Sequence, residues 1–228
     1  MSPSTVLTFT APPRRRAGPP GPWGRRRRAP SGRTTLGPVK EDPVAFRLDC
    51  GATWLNLLAT RGRAFGARPV ERLPDPVRFA EWLGLCDLAP VQPPHQDDLD
   101  RAVRLRETLR PIALATVDGR PPEDDDVRSL ETFLGQDDPV ALSVDGRLVR
   151  SAPPSTRTAL ARIARQAVDH LTGPQRDDLK VCPEGDCRGV FADPAGRRRW
   201  CPSPACASRG RVRALRARRS ASAGTQGR

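Results

Sequence analysis

The chain has 228 residues, of which 37% are hydrophobic, with 26 prolines and 19 glycines, so one medium domain and a small appendage fit, and part of the chain is loop or tail. No apolar run approaches the ~18 residues that a membrane-spanning helix needs, and no apolar segment typical of a signal peptide follows the basic runs near the start. These features argue against a membrane protein and predict a cytoplasmic one. In that compartment, closely spaced cysteines favour a metal site over disulfides.

The formal charge of +13 is concentrated at the two ends of the chain. Residues 1–40 carry nine basic and no acidic groups, and residues 179–228 carry twelve basic and three acidic groups, whereas 41–178 carry 18 basic and 23 acidic groups. Basic ends suit contact with a polyanion such as nucleic acid. Arginine supplies 37 of the 39 basic residues, however, and GC-rich coding raises arginine content everywhere, so charge alone leaves the partner open.

Residues 1–42 are rich in Pro, Gly and Arg and lack apolar periodicity. Such a segment cannot bury enough surface to offset the entropy of ordering, so we expect a disordered tail. It fits either a nucleic-acid-binding arm or a dispensable extension.

Helices are predicted to dominate residues 43–174. The apolar spacing favours a short strand or turn that runs into a helix around Trp54, and a second helix that opens at Pro76. A third helix begins among the acids before Leu99 and is kinked or broken at Pro111. In the second helix the residues expected to be available for burial are Val77, Phe79, Ala80, Leu83 and Leu85.

The second half of this region contains three further predicted elements. The acidic run Glu123 to Asp126 is interpreted as the first turn of a helix, where it compensates the helix dipole, although a metal site is an alternative. Asp145-Gly146 between two alternating apolar runs predicts a two-residue β-hairpin. A long amphipathic helix follows, with Ser155 as its N-cap and Gly173-Pro174 as its stop.

The strongest chemical signal is a pair of Cys-x4-Cys motifs separated by thirteen residues. Their cysteines are Cys182, Cys187, Cys201 and Cys206. Two short loops of this kind bring four sulfurs onto one tetrahedral zinc ion, and a segment with so few apolar residues needs such a staple. Because four thiolates fill the zinc shell, we predict one structural Zn²⁺. Two disulfides in an exported protein are the alternative.

The remaining cysteines and both histidines do not form a recognisable catalytic constellation. Cys50 and Cys86 lie in apolar stretches and are interpreted as small buried side chains. His95 and His170 are isolated in the sequence. We therefore predict no catalytic residues and no enzymatic activity.

Basic residues flank the second cysteine pair on both sides. The candidate nucleic-acid-binding residues are Arg197, Arg198, Arg199, Arg209, Arg211, Arg213 and Arg216. Guanidinium groups bind phosphates and also read guanine edges. In the predicted helix after Cys206, Val212 and Leu215 are expected to anchor one face to the zinc module.

The sequence resembles the CGNR zinc-finger family, bacterial proteins inferred to be stress-induced transcriptional regulators, in which an N-terminal ABATE domain precedes a C-terminal zinc finger. The resemblance covers roughly residues 44–219 and is carried by LKVCPEGDC (179–187), VFAD (190–193), RRWC (198–201), Cys206 and Arg209. It implies that the four cysteines are the zinc ligands. The naming tetrad is here Cys206-Ala207-Ser208-Arg209 and lacks the Gly and Asn of the family, which puts the position of the last helix and DNA specificity in question.

Together these features predict an α+β protein: a mostly helical N-terminal domain with a small β-hairpin, and a small C-terminal zinc-finger module followed by a basic helix. The predicted segments are the tail 1–42, an ABATE-like regulatory domain 43–174, a CGNR-like zinc finger with its basic helix 175–219, and a disordered tail 220–228. The leading hypothesis is a DNA-binding transcriptional regulator with a small-molecule or protein effector of its N-terminal domain. An RNA- or ribosome-associated module and a protein-interaction adaptor with purely structural zinc remain alternatives. Target sequence and oligomeric state stay open.

Overall fold

A computed structural model describes residues 44–135, 142–144 and 148–225. Within these ranges the helices are α1 (Thr53–Ala59), α2 (Pro76–Leu85), α3 (Gln96–Val117), α4 (Asp124–Leu134), α5 (Thr156–Thr172) and α6 (Pro204–Thr225). Three antiparallel strand pairs join them: β1 (Arg61–Gly62) with β2 (Val70–Glu71), β3 (Leu142–Val144) with β4 (Leu148–Arg150), and β5 (Leu179–Val181) with β6 (Val190–Ala192). The predicted α+β class is confirmed. In the described ranges, none of the helices has the length and apolarity to cross a membrane.

Two predicted helix starts are confirmed by their capping bonds. In α2, Pro76 occupies the first turn and the Asp75 carboxylate accepts a hydrogen bond from the Arg78 amide at 2.8 Å. In α5, the Ser155 hydroxyl accepts from the Thr158 amide at 3.2 Å. Each cap satisfies an amide that the first helical turn leaves without a partner.

The predicted burial of α2 is correct on one face and wrong on the other. Phe79 and Leu83 are buried together with Trp82, whereas Val77 and Leu85 are 78% and 54% exposed. The buried residues follow the i, i+3, i+4 spacing of one helical stripe. Val77 and Leu85 lie off this stripe, on the side of the helix turned to solvent.

The long helix α3 runs without interruption through Pro111, so the predicted break is wrong. Proline removes one main-chain hydrogen bond and costs about 3 kcal/mol inside a helix. The helix persists because it packs against α1, α2, α4 and α5, and burial on this scale offsets a local backbone penalty.

The acidic run and the hairpin are both found where the sequence predicts them. Glu123 is the N-cap of α4, and Asp124 to Asp126 form its first turn, which confirms the dipole interpretation. In the hairpin, Val144 of β3 pairs with Leu148 of β4. This register leaves three residues between the strands instead of two, and 145–147 lie outside the described residues.

At the ends of the chain only part of the sequence interpretation falls within the described residues. The predicted tail 1–42 lies outside them. Helix α6 extends to Thr225, beyond the predicted end at Arg219 and into the segment 220–228 interpreted as a disordered tail. Ala221 and Ala223 favour this continuation, because alanine has the highest helix propensity.

One hydrophobic core serves both predicted modules. It is built from α1 to α5, and Val190 and Phe191 of β6 belong to the same buried cluster. Phe191 is fully buried. The cysteine segment, which has few apolar residues of its own, therefore shares the core of the helical region. The two modules belong to one compact unit.

A buried guanidinium on α3 organises the polar part of this core. Arg106 is 1% exposed and donates to the Thr60 hydroxyl at 2.9 Å and to both carboxylate oxygens of Glu71 at 2.8 and 2.7 Å. Its Nε donates to Glu107 at 2.9 Å. One turn later, the Arg110 guanidinium donates to the Leu58 carbonyl at 3.2 Å. These two arginines thus fix the end of α1 and the β1–β2 hairpin onto α3.

The Glu71 carboxylate is held in its charged form by this network. Burial by itself raises the pKa of Glu71, but hydrogen bonds from Arg106 and from the Leu73 and Arg72 amides outweigh it, so the pKa lies below its ordinary value. A carboxylate with a lowered pKa in the folded state stabilises the fold above its unfolded-state pKa, and this contribution is lost as pH falls through the folded-state value.

Replacing Glu71 should therefore destabilise the protein in a pH-dependent way. For Glu71→Gln we expect a loss of about 1–3 kcal/mol at pH 7, below the full effect of breaking a buried pair because Glu71 is partly exposed. Urea unfolding of wild type and variant measures it. The difference should shrink as pH falls below the ordinary value of 4.5. The control is Glu131→Gln on α4; an equal loss there, or a difference independent of pH, would contradict the role of the Arg106 network.

Candidate metal centre

The first cysteine pair is placed by the β5–β6 hairpin. Cys182 directly follows β5, and its amide donates to the Gly189 carbonyl just before β6 at 3.0 Å. The loop between the strands turns back at Glu184, whose carbonyl accepts from the amides of Cys187 and Arg188, each at 2.9 Å. Arg188 has φ 41°, in the left-handed region that ends such a turn. Both sulfurs are thereby directed to the same side of the hairpin.

The second pair is placed by the start of α6. Cys201 precedes the helix, and Cys206 lies in its first turn after Pro204. Proline suits this position because its missing amide would have no helical partner. The Cys206 amide donates to the Ser203 carbonyl at 3.1 Å. Helix α6 thus begins at the metal centre, and Cys206, one of its own residues, supplies a ligand.

The four sulfurs meet as the spacing predicts. The Sγ atoms of Cys182, Cys187, Cys201 and Cys206 all lie within 4.8 Å of one another. Cys187 and Cys201 are 3.8 Å apart, far beyond the ~2.05 Å of a disulfide and equal to the spacing of about 3.8 Å that two sulfurs have at 2.3 Å from a tetrahedral zinc ion. All four are free thiols. The predicted cofactor, one structural Zn²⁺, is confirmed in that these four cysteines are close enough to coordinate a single ion.

The four thiols hydrogen-bond with one another, which lowers the pKa of Cys182 and raises the pKa of Cys187 and of Cys201. Once all four are thiolates around zinc, the site carries a net charge of about −2. Arg209 lies beside this charge, with its Nη2 3.5 Å from the Cys206 sulfur. A neighbouring cation of this kind stabilises the tetrathiolate.

Two close contacts join the hairpin to the helical region. The Ala192 amide donates to the Cys50 carbonyl at 2.9 Å. At Gly51, which has φ 103°, a Cβ would lie 2.7 Å from the Ala192 side chain, so only glycine allows this approach. Asp193 then accepts from the Lys180 ammonium at 2.7 Å and from the Arg198 amide at 2.8 Å, which orients the turn before Cys201.

Helix α6 is anchored by ion pairs and not by the apolar residues that the sequence suggested. Val212 and Leu215 are 46% and 50% exposed, so their predicted anchoring role is wrong. Instead, the buried Glu184 carboxylate accepts from Arg213 Nη2 at 2.6 Å. Arg209 Nη2 donates to Asp186 at 3.0 Å. Carboxylates of the first cysteine loop therefore bind arginines of the helix that carries the second pair.

Trp200 also contributes to the anchor of the helix. Its indole Nε1 donates to Glu184 at 3.3 Å, and a Cβ at Gly210 would lie 2.4 Å from the indole ring. Gly210 thus allows Trp200 to pack directly on the α6 backbone. Ala207 and Ser208, which replace the Gly and Asn of the family tetrad, lie in the regular helix, where the conformational freedom of glycine is not needed.

The candidate nucleic-acid arginines fall into two groups. Arg209 and Arg213 are bound to Glu184 and Asp186, and Arg216 borders the same surface depression. The second group is exposed on the other side of the module and comprises Arg197, Arg198, Arg199 and Arg211. Only the first group is engaged by the acidic loop. The role of all seven in binding nucleic acid stays a prediction.

Several residues that shape this centre were not identified from the sequence. They are Glu184, Asp186, Trp200, Gly210 and Asp193. The sequence feature that could have identified three of them is charge. Glu184, Asp186 and Asp193 are the only acidic residues after position 178. Acids retained inside such a basic segment indicate specific partners.

The isolated residues largely behave as the sequence suggests. Cys50 is 4% exposed and Cys86 is half-buried. Burial raises the pKa of each thiol to about 12, so neither is ionised near neutral pH. His170 accepts a hydrogen bond from the Trp54 indole at 3.2 Å, and His95 forms a capping box with Asp98 at the start of α3. These contacts give both histidines structural roles.

Comparison with known protein families assigns both halves of this architecture. A family model named ABATE, described as "Putative stress-induced transcription regulator", matches residues 51–174. A second model, the CGNR zinc finger, matches residues 179–219. The first match ends just after α5, and the second begins at β5. No curated protein matches the chain significantly.

Metal analysis of cysteine variants tests the centre. Purified under reducing conditions, the wild type should hold one zinc ion per chain, and Cys187→Ser should lose it, because serine is a poor zinc ligand at neutral pH. Cys86→Ser is the matched control and should keep one zinc. Elemental analysis against protein concentration gives the ratio. Zinc retained in Cys187→Ser, or lost equally in Cys86→Ser, would contradict the assignment.

Removal of the buried carboxylate tests the anchor of α6. In Glu184→Gln the bonds to Arg213 and Trp200 lose their charge assistance, which we expect to weaken the attachment by about 1–2 kcal/mol. Amide hydrogen exchange in residues 207–214 should accelerate roughly 5- to 30-fold, while the zinc content stays at one. The exposed Asp177→Asn serves as control. Unchanged exchange in Glu184→Gln would show that Glu184 does not hold the helix.

Proposed function

Because this chain belongs to the ABATE family and carries a CGNR zinc finger, we propose that it is a DNA-binding transcription regulator. Its zinc module supplies the DNA-binding surface and its helical region receives the regulatory signal. The observation that carries the proposal is the attachment of a long basic helix directly to the metal centre. Helix α6 has 22 residues, begins at the second ligand pair and is largely exposed from Arg211 to Arg219.

The exposed arginines form one basic face across two segments. Arg197, Arg198 and Arg199 border a shallow depression together with Ala207 of α6. Arg211 lies one turn after Ala207 on the same side of the helix, since residues four apart share a face. This face is opposite to the one held by Glu184 and Asp186. We name it the Arg197–Arg211 face.

The two groups of arginines have different roles in this proposal. Arg209 and Arg213 position the helix, because their guanidinium groups bind carboxylates of the same module. The Arg197–Arg211 face contacts phosphates, and side chains of the exposed helix contact base edges in the major groove. Phosphate contacts provide affinity and base contacts provide sequence preference.

In this proposal the protein acts by binding and is not an enzyme. Four sulfur ligands complete the tetrahedral shell of zinc, so the ion has no open position for a reacting water molecule. Its chemistry is to hold the hairpin and α6 together. We place the protein in the reducing cytoplasm, since the ligands bind zinc only as reduced thiolates.

Binding of the full-length, zinc-loaded protein to duplex DNA over a salt series tests the proposal. The wild type should bind at low salt, with log affinity falling linearly with log salt. Replacing Arg197, Arg198 and Arg199 together by Ala should reduce the slope by about 2–3, since each phosphate contact contributes about 0.9. The control triple replaces Arg68, Arg104 and Arg128 of the helical region. Fluorescence anisotropy with a labelled duplex gives both quantities.

Three outcomes would contradict the proposal in different ways. Undetectable binding by zinc-loaded wild type at low salt removes nucleic-acid binding and favours a protein-interaction adaptor. Tighter binding to structured RNA than to duplex DNA favours an RNA-associated module, in which shape and 2′-hydroxyl contacts dominate. Equal slopes for the two triple variants would remove the Arg197–Arg211 face from the interface.

A further inference from the structure

A cavity of about 260 Å³ lies between the helical region and the zinc module. One wall is formed by the end of α1 and the β1–β2 hairpin, including Leu58 and Val70. The opposite wall includes Val190 and Pro202 beside the zinc ligands. A zinc ion fills only the space among its four sulfurs. The cavity extends beyond that space, to the apolar side chains of both walls.

The lining of this cavity combines apolar surface with an excess of positive charge. The arginines that line it are Arg47, Arg61, Arg63, Arg72, Arg110 and Arg209. Among the described residues that line it, none is acidic. Glu107 pairs with Arg61 and Arg110, and Asp186 pairs with Arg63 and Arg209. Glu184 also pairs with Arg209. These carboxylates lie outside the lining, so the ionisable residues that line the cavity itself are arginines and cysteines.

Arg72 is the most confined of these cations. It is 7% exposed, and its Nε and Nη1 donate to the carbonyls of Ala45 and Ala59 at 2.8 and 3.0 Å. It forms no ion pair with any carboxylate of the described residues. Burial lowers its pKa, the nearby charge of Arg47 acts in the same direction, and Cys187 and Glu71 act against it. A buried guanidinium is usually stabilised by a counter-ion.

We propose that this cavity binds a small organic anion, one apolar ring bearing a carboxylate or a phosphate. The volume sets the size, because benzene fits a cavity of about 150 Å³, and 260 Å³ adds room for one charged group but not for a nucleotide. The apolar walls take the ring and the arginines take the anionic group. The site is independent of the DNA contacts proposed above.

Binding at this position has a direct physical consequence for the metal centre. Cys187, Cys201 and Cys206 all line the cavity. A bound anion therefore covers the zinc thiolates from this side and contacts both walls at once. It stabilises the folded protein by mass action and slows the transfer of zinc to a competing chelator.

The test uses the full-length, zinc-loaded protein without DNA, so that its failure is separate from a failure of DNA binding. The probes are benzoate and phenyl phosphate, with benzamide and inorganic phosphate as neutral and ring-free controls. At about ten times its Kd, a binding probe should raise the midpoint of thermal unfolding by roughly 3–6 °C. It should also slow zinc transfer to a chromogenic chelator several-fold. The better of the two probes identifies the preferred anionic group.

Two variants locate the binding, each compared with its own probe-free midpoint. Val70→Phe fills the cavity and should abolish both effects. Arg61→Gln removes a lining charge and should weaken binding about tenfold, whereas Arg68→Gln, on the same hairpin but outside the lining, should leave it unchanged. The proposal is overturned if neither anion has an effect, if benzamide or inorganic phosphate acts as strongly, or if Val70→Phe retains the response.

Discussion

The convergence of four thiolates on one zinc ion is the constraint on which the C-terminal half of this structure depends. The ion joins a two-stranded hairpin to the first turn of a 22-residue helix, two elements with little apolar surface between them. Glu184 and Asp186 then bind Arg213 and Arg209 of that helix. Since both arginines are partly exposed, these ion pairs contribute modestly by themselves, so the metal fixes the geometry and the carboxylates select one orientation within it.

The β5–β6 hairpin also packs into the core of the helical region, and this connects that region to the zinc centre. Phe191 is part of the main core, and the Cys50 carbonyl binds the Ala192 amide at 2.9 Å. The helical region is therefore joined to the zinc centre by packed side chains. The cavity beside Arg72 lies at this junction. A ligand bound there would contact both the helical region and the zinc module.

Local patterns made much of the structure predictable. The caps of α2 and α5, the acidic first turn of α4 and the meeting of the four cysteines all follow from residues close in sequence. The predictions that were wrong depend on contacts between residues far apart in the sequence. Pro111 lies inside α3 because packing against neighbouring helices offsets the cost of its lost hydrogen bond. Val212 and Leu215 are exposed because α6 is held instead by carboxylates such as Glu184, which is 29 residues from its partner Arg213. Arg106 was not identified because its partner Glu71 is 35 residues distant.

X-ray absorption at the zinc edge of the reduced wild-type protein tests the central claim most directly, because it reports the atoms bound to the ion. The account predicts a first shell of four sulfur atoms at about 2.3 Å, which requires both cysteine pairs and so joins the hairpin to α6. A shell in which nitrogen or oxygen replaces any sulfur would contradict it, because one pair would then be incomplete and the basic helix would lose its link to the core.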